Sequence, residues 1–177
     1  DPWVIDVNLK KDYNQGWIAN AEASGGTDNR FLSRLFGMRF TDRTELFVYG
    51  SANNLNDKTQ PWGDGTWYKN VVQNGQMSIQ KAGANFAYNG RNNKNRISTS
   101  VNITHSTNNI DNRSVKTNYY ETNDTYGRSH FLNHATICST EWLADGKYAG
   151  KNAFLTWYHS LTLGNTHTHS DNQNITL

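Results

Sequence analysis

The chain has 177 residues, a formal net charge of +2 and only 18% charged residues, yet its mean hydropathy is −0.83. The polarity must therefore come from neutral Asn, Thr and Ser, and no run approaches the ~18 apolar residues of a transmembrane helix. One cysteine, Cys138, excludes an internal disulfide scaffold, and so small a net charge gives no case for a nucleic-acid partner.

The composition favours strands over helices throughout the chain. Asn, Ser and Thr compete with helix hydrogen bonds, and Gly loses backbone entropy in a helix. Thr, Tyr, Trp and Phe fit pleated sheet, whereas Asn and Gly fit turns. The composition therefore predicts an all-β protein.

Alternation with a period of two residues predicts the first four strands. In the second of them Trp17, Ala19, Ala21 and Ala23 share one face. A turn-rich GGTDNR break precedes the third, and a tight TDRT connection precedes the fourth. The predicted strands cover 3–10, 17–24, 31–40 and 45–52.

A long polar loop, 53–75, separates these strands from the second half of the chain. There the alternation predicts a further four strands, at 76–88, 96–105, 130–143 and 151–163. The segments between and after them are predicted as a hairpin turn at 89–95, a long polar segment at 106–129 with weak strand character near 115–120, a turn at 144–150 and a tail at 164–177. The tail either extends the last strand or stays loose.

About eight sequential strands predict an antiparallel up-and-down meander, a barrel or part of a larger barrel, as one region over 1–177. Several predicted strands reach ten or more residues, whereas soluble strands average about 5–6. Long strands with unequal loops are typical of outer-membrane barrels, whose polar lumen face would explain the low hydropathy. The pattern alone leaves a soluble β-sandwich equally open.

An ordered string of segments carries a resemblance to a known family. The segments are GWIANAEA at 16–23, GGTDNRFLSRLFG at 25–37, GSANNLND at 50–57 and QKAGANF at 80–86, with shorter ones at 6–8, 118–120 and 126–129. Together they resemble the β-barrel part of TonB-dependent outer-membrane receptors. The most similar kind carries an N-terminal carboxypeptidase-regulatory-like domain.

The resemblance implies a non-catalytic protein for nutrient uptake in the bacterial outer membrane, with no cofactor. Its implied partners are outer-membrane lipid, the rest of the barrel with its plug, and TonB through that plug. Such barrels have about 22 strands and need over ~400 residues, so this chain is expected to be an internal fragment. It departs from the family in showing no plug segment and no terminal aromatic residue. The alternative is a soluble module, secreted or periplasmic, that binds carbohydrate or a protein partner.

Aromatic residues in the 53–75 loop are the first candidate binding site. Trp62, Trp67 and Tyr68 could stack on a sugar ring or clamp another ligand. The simpler interpretation is that they pin the loop to the rim of the sheet.

Arginines near the GGTDNR turn are the second candidate. Arg30 and Arg34 could bind an anion together with Asp28 and Asn29. Ordinary turn chemistry is the simpler interpretation, because Asp and Asn favour turns.

The remaining candidates are weak, and no catalytic or metal-binding residue is assigned. An oxygen-rich calcium site in the loop lacks the required ligand order, and the imidazoles of the tail lack a third ligand. Cys138 is expected to be a buried, inert thiol. A hydrolase, which would depend on His130 or His134, is the least favoured function. The side chains concerned in the loop and tail are Asn53, Asn54, Asn56, Asp57, Asp64, His159, His167 and His169.

Overall fold

The computed structural model describes residues 15–62, 64–67, 75–90, 94–119, 125–151 and 153–176. In these ranges the chain forms seven strands, β1 Gly16–Gly25, β2 Phe31–Phe40, β3 Thr44–Asn53, β4 Gln76–Asn89, β5 Asn95–Asn118, β6 Thr125–Ala149 and β7 Phe154–Thr176. They lie in one antiparallel sheet in chain order. The predicted all-β up-and-down meander is confirmed, and the predicted strand 3–10 lies outside the described residues.

The sheet is open, with β1 and β7 at its edges. Within the described residues β1 pairs only with β2, and β7 pairs only with β6. In the part of the chain that the structure describes, the outer backbone groups of β1 and β7 therefore have no strand partner. The same ranges contain no helix that is long and apolar enough to cross a membrane.

The prediction of a long polar connection at 106–129 was wrong, although the weak strand character near 115–120 agrees with the end of β5. β5 continues to Asn118 and β6 starts at Thr125, and the two strands pair without interruption from Asn95 with Tyr148 to Asn118 with Thr125. Alternation is absent because both faces of this segment are polar. Contacts between polar side chains across the ladder take the place of apolar packing. One example is the hydrogen bond between the hydroxyls of Ser114 and Ser129 at 2.8 Å.

The predicted turn at 144–150 also belongs mostly to a strand. β6 runs to Ala149, and Gly150 donates its N–H to the carbonyl of Ala153 at 2.8 Å, which closes a shorter turn. Position 146, within this strand, requires glycine because the indole of Trp157 lies across it. A Cβ at Gly146 would come within 2.3 Å of the ring. The tail is ordered as part of β7 up to Thr176.

The register divides the sheet into an apolar face and a polar face. Two full rows cross the apolar face at its centre, and they contain no charged residue. One row consists of Ala19, Gly37, Val48, Ala84, Val101, Trp142 and Leu161. The next consists of Ala21, Leu35, Gly50, Ala82, Ile103, Thr140 and Leu163.

The polar face carries amides, hydroxyls and charged groups at the same height. One of its rows consists of Glu22, Arg34, Ser51, Lys81, Thr104, Ser139 and Gly164. The small buried core is also on this side, because the β3–β4 loop covers it. Its main side chains are Leu32, Phe36, Tyr49, Met77 and Ile79.

Candidate functional site: the loop on the polar face

The β3–β4 loop, described over 54–62 and 64–67, lies across the polar face of β1 to β4. Lys81 on β4 donates its Nζ to the carbonyl of Lys58. At the far side, Asn20 on β1 donates its Nδ2 to the carbonyl of Gly65 at 3.0 Å. Gly65 has a φ of +79°, and a Cβ there would lie 2.8 Å from the Phe36 ring, so only glycine fits this close approach.

Amide side chains shape the first part of the loop. Asn53 Oδ1 accepts the N–H groups of Leu55 and Asp57, both at 3.1 Å, and its Nδ2 donates to the carbonyl of Asp57 at 2.9 Å. Asn56, in the left-handed region with φ 60°, accepts the N–H of Met77 at 2.7 Å. The Asn side chains considered for calcium thus hydrogen-bond backbone groups of the loop and of the neighbouring turn and strands.

Arg34 on β2 is the main polar anchor of the loop. Its guanidinium donates to Glu22 at 2.9 Å, to Thr59 Oγ1 at 3.2 Å and to the carboxylate of Asp57. The side chains of Arg34 and Asp57 are only 14% and 15% exposed. Two carboxylates therefore balance this cation, that of Asp57 inside the covered contact and that of Glu22 at its exposed margin.

The pKa of Asp57 lies below its ordinary value. Burial alone would raise it, but hydrogen bonds from the hydroxyl and N–H of Thr59 and from Arg34 favour the charged form and prevail. Asp57 is therefore a carboxylate at neutral pH, which holds the loop through its negative charge.

Trp67 packs at the centre of the loop contact. Its ring lies edge-on to Tyr49, with ring centroids 6.2 Å apart, and the Arg34 guanidinium carbon is 5.1 Å from its centroid. Within the described part of the chain its Nε1 is buried and has no hydrogen-bond partner. Trp67 and Pro61 form a short antiparallel bridge, which closes the tip of the loop.

The other candidate residues lie apart from this centre. Trp62 is 68% exposed at the loop tip, and Tyr68 lies outside the described residues. Arg30 donates to the carbonyl of Asn54 at 2.8 Å and so ties the β1–β2 turn to the start of the loop. The structure thus brings Arg34 and Trp67 together but not Arg30 and Trp62, and ligand binding by any of them stays a prediction.

The turn chemistry of the GGTDNR segment is present in the structure. Asp28 and Asn29 adopt positive φ angles of 58° and 56°, which these two residue types tolerate. Asn54 reinforces the turn, accepting the N–H of Phe31 and donating to the carbonyl of Asn29, both at 2.8 Å.

Cys138 was wrongly predicted to be buried. It is exposed, on the apolar-face side of β6, because no second layer covers that face within the described ranges. His105 Nδ1 lies 2.9 Å from its sulfur. His130, one of the two histidines on which a hydrolase would depend, pairs with Asp111 at 2.9 Å.

The contact between the β3–β4 loop and the sheet holds the loop on the polar face. The charged side chains in this contact neutralise one another. Sequence reasoning found Arg34 and Trp67 but missed Asn20, Thr59 and Lys81, which complete the contact. Only the face that Asn20 and Lys81 share with Arg34, and the length of the loop that carries Thr59, could have indicated them. Within the described residues, no group of three or more His, Cys, Asp or Glu could hold a metal ion.

No known protein family, curated protein or solved structure matches this chain in sequence or fold comparisons.

Proposed function

We propose that this sheet forms part of the wall of an outer-membrane β-barrel, a receptor and transporter for nutrient uptake of the TonB-dependent type. Its apolar face would contact lipid and its polar face would line the lumen. One observation carries the proposal: the covering loop packs on the polar face and leaves the apolar face bare. A soluble β-sandwich would instead cover its apolar face with a second layer.

The bare face is large and continuous. Leu35, Ile103 and Leu163 in one central row are 57%, 51% and 60% exposed. Soluble monomers rarely expose contiguous apolar patches beyond a few hundred Å². Lipid chains are the solvent in which such a face is stable, because they solvate apolar surface without the cost that water imposes.

The height of this band fits a bilayer. On β7 it extends from Leu155 to Leu163, which at ~3.3 Å per residue spans about 26 Å along the strand. A tilt of roughly 40° reduces this to about 20 Å, near the ~25 Å band of outer-membrane barrels. The ten residues of β1, β2 and β3 match the ~9–11 that a spanning strand needs.

Aromatic residues mark the rim with the short turns. Trp17, Tyr88, Tyr148 and Trp157 lie on the apolar face near that rim. The Arg39 guanidinium carbon is 5.2 Å from the centroid of the Trp17 ring. Such pairs are typical of the membrane–water interface, where one part of a side chain is apolar and the other is polar.

The polar face is suited to line a water-filled lumen. It carries Glu22, Arg34 and Lys81 at the height of the apolar band, where charged groups facing lipid would be costly. The loop that packs on this face would narrow the lumen from one side, and charge matching by Arg34 and Asp57 would keep it there.

The open edges support the proposed partners. β1 and β7 leave backbone groups without a neighbouring strand in the described residues, and a membrane requires these groups to be paired. The rest of a barrel would pair them and enclose a plug, through which TonB would act. The proposed function needs neither catalysis nor a cofactor, and the resemblance to the receptor family supports the same assignment.

Fluorescence in lipids with brominated chains tests the proposal, because bromine quenches only the indoles that contact acyl chains. In vesicles of these lipids, the Trp142→Phe variant should lose a quenchable part of the emission, since Trp142 lies within the apolar band. The matched control Trp67→Phe should lose only unquenched emission, because Trp67 packs between the loop and the polar face, against Tyr49 and Arg34.

A chain that stays monomeric in buffer without detergent and does not enter vesicles would contradict the proposal. That outcome would favour the soluble module for carbohydrate or a protein partner. Exposed Trp62 at the loop tip would then be the first residue to substitute.

A further inference from the structure

The sheet has an arm of three strands beyond its apolar band. β4 begins at Gln76, opposite Asn109, and beyond this level β5, β6 and β7 continue as a narrower ribbon. All six histidines of the chain lie at register positions on the apolar-face side of the sheet, and most of them are in or next to the arm. They are His105, His130, His134, His159, His167 and His169.

Two of these histidines face each other directly. His134 on β6 pairs in register with His169 on β7. Side chains at facing positions of antiparallel strands have Cβ atoms only about 4.5–5.5 Å apart. Both imidazoles line an open cleft of about 630 Å³, which Asp111 and Asp171 also line. Arg113 and His130 already pair with the Asp111 carboxylate, at 3.0 and 2.9 Å, so the negative charge that remains beside the two imidazoles comes from Asp171.

The surroundings of His134 set its tautomer. The amide Oδ1 of Asn109 contacts His134 Nδ1, and because an amide oxygen only accepts, Nδ1 carries the proton. The lone pair then lies on Nε2, whose neighbour is the Thr136 hydroxyl at a long 3.4 Å. Metal-binding histidines characteristically donate their other N–H to an oxygen in this way.

We propose that His134 and His169 form a two-imidazole binding site for a divalent metal ion such as Ni²⁺ or Zn²⁺, with water in the remaining coordination positions. Imidazole suits these ions, and the Asp171 carboxylate in the cleft offsets part of their charge. Since no three ligating side chains converge in the described residues, the site is exchangeable and not structural. It lies beyond the apolar band, so it does not depend on the proposed membrane function.

Titration of the full chain with Ni²⁺ tests the site, in a Cys138→Ser background so that the thiol beside His105 cannot compete. Calorimetry should show one ion bound per chain, with affinity at least about tenfold weaker in His134→Ala and in His169→Ala. His159→Ala is the matched control: His159 is on the same strand and face as His169 but packs on Trp142, with ring centroids 4.8 Å apart. Its affinity should be unchanged.

Asn109 is a positioning residue in this account and has its own test. Asn109→Leu should weaken Ni²⁺ binding about tenfold, whereas Asn109→Asp, which keeps an oxygen acceptor, should retain it. The proposal is overturned if no stoichiometric binding occurs, if His159→Ala weakens binding as much as His169→Ala, or if both Asn109 variants behave alike.

Discussion

At the scale of single residues, the loop contact depends on how Arg34 is neutralised. Its guanidinium meets Glu22 and Asp57 and lies over the Trp67 ring. The sequence shows a cation in a strand and an indole in a loop, which predicts ligand contacts as readily as internal ones. Only the register and the path of the loop distinguish the two, and neither can be derived from residue types.

Arg34→Met should release the loop from the sheet while keeping most of the apolar length of the side chain. The change leaves the Asp57 carboxylate without its cation, so we expect a loss of about 1–3 kcal/mol in the free energy of unfolding. Urea unfolding followed by tryptophan fluorescence measures it. Arg43→Met, in the β2–β3 turn, is the control and should change stability by less than about 0.5 kcal/mol. Equal effects of the two substitutions would refute the anchoring role.

Protonation of Asp57 at acidic pH should detach the β3–β4 loop from the sheet. Because its pKa is lowered in the folded state, its contribution to stability is complete above the ordinary carboxyl pKa of about 4 and is lost as the pH falls through the lower folded value. Limited proteolysis of the loop should therefore accelerate only below about pH 4. Asp57→Asn should accelerate it already at neutral pH, whereas Asp42→Asn in the β2–β3 turn should leave the profile unchanged.

At the scale of strands, alternation predicted most elements but not which face each strand presents. In β2 the clearest apolar series, Leu32, Phe36 and Met38, lies on the polar face beneath or beside the loop, whereas Leu35 and Gly37 join the apolar face. The ends of β5 and β6 escaped prediction because runs of Asn, Ser and Thr carry no alternation. Their strand structure comes from pairing with each other, which is a tertiary effect.

Lysine substitutions at neighbouring positions of β5 should lower the free energy of unfolding by different amounts on the two faces of the sheet. In lipid, Val101→Lys should lower the free energy of unfolding by about 2–4 kcal/mol, because its position is central in the apolar band. Ser100→Lys, one residue earlier and on the polar face, should cost less than about 1 kcal/mol, since a position that faces a water-filled lumen would remain hydrated. Unfolding in detergent or bilayers measures both, and similar losses would argue against a lipid-facing surface.

At the scale of the whole molecule, the fold class followed from composition and period, whereas the arrangement of layers did not. A sandwich and a barrel wall share long alternating strands, so the sequence left both open. The structure adds the position of the loop: it covers Phe36 and Tyr49 on the polar face and leaves the apolar face without cover in the described residues. We infer lipid on that face from this asymmetry.

A nitroxide scan along β5 tests that inference most directly. Cysteines introduced one at a time at 99–104, in a Cys138→Ser background, would be spin-labelled in bilayers and exposed to oxygen or to a water-soluble nickel chelate. The proposal predicts a period of two: labels at Thr99, Val101 and Ile103 favour collisions with oxygen, and labels at Ser100, Asn102 and Thr104 favour the chelate. Equal access of the chelate to both sets would contradict a lipid-facing apolar surface.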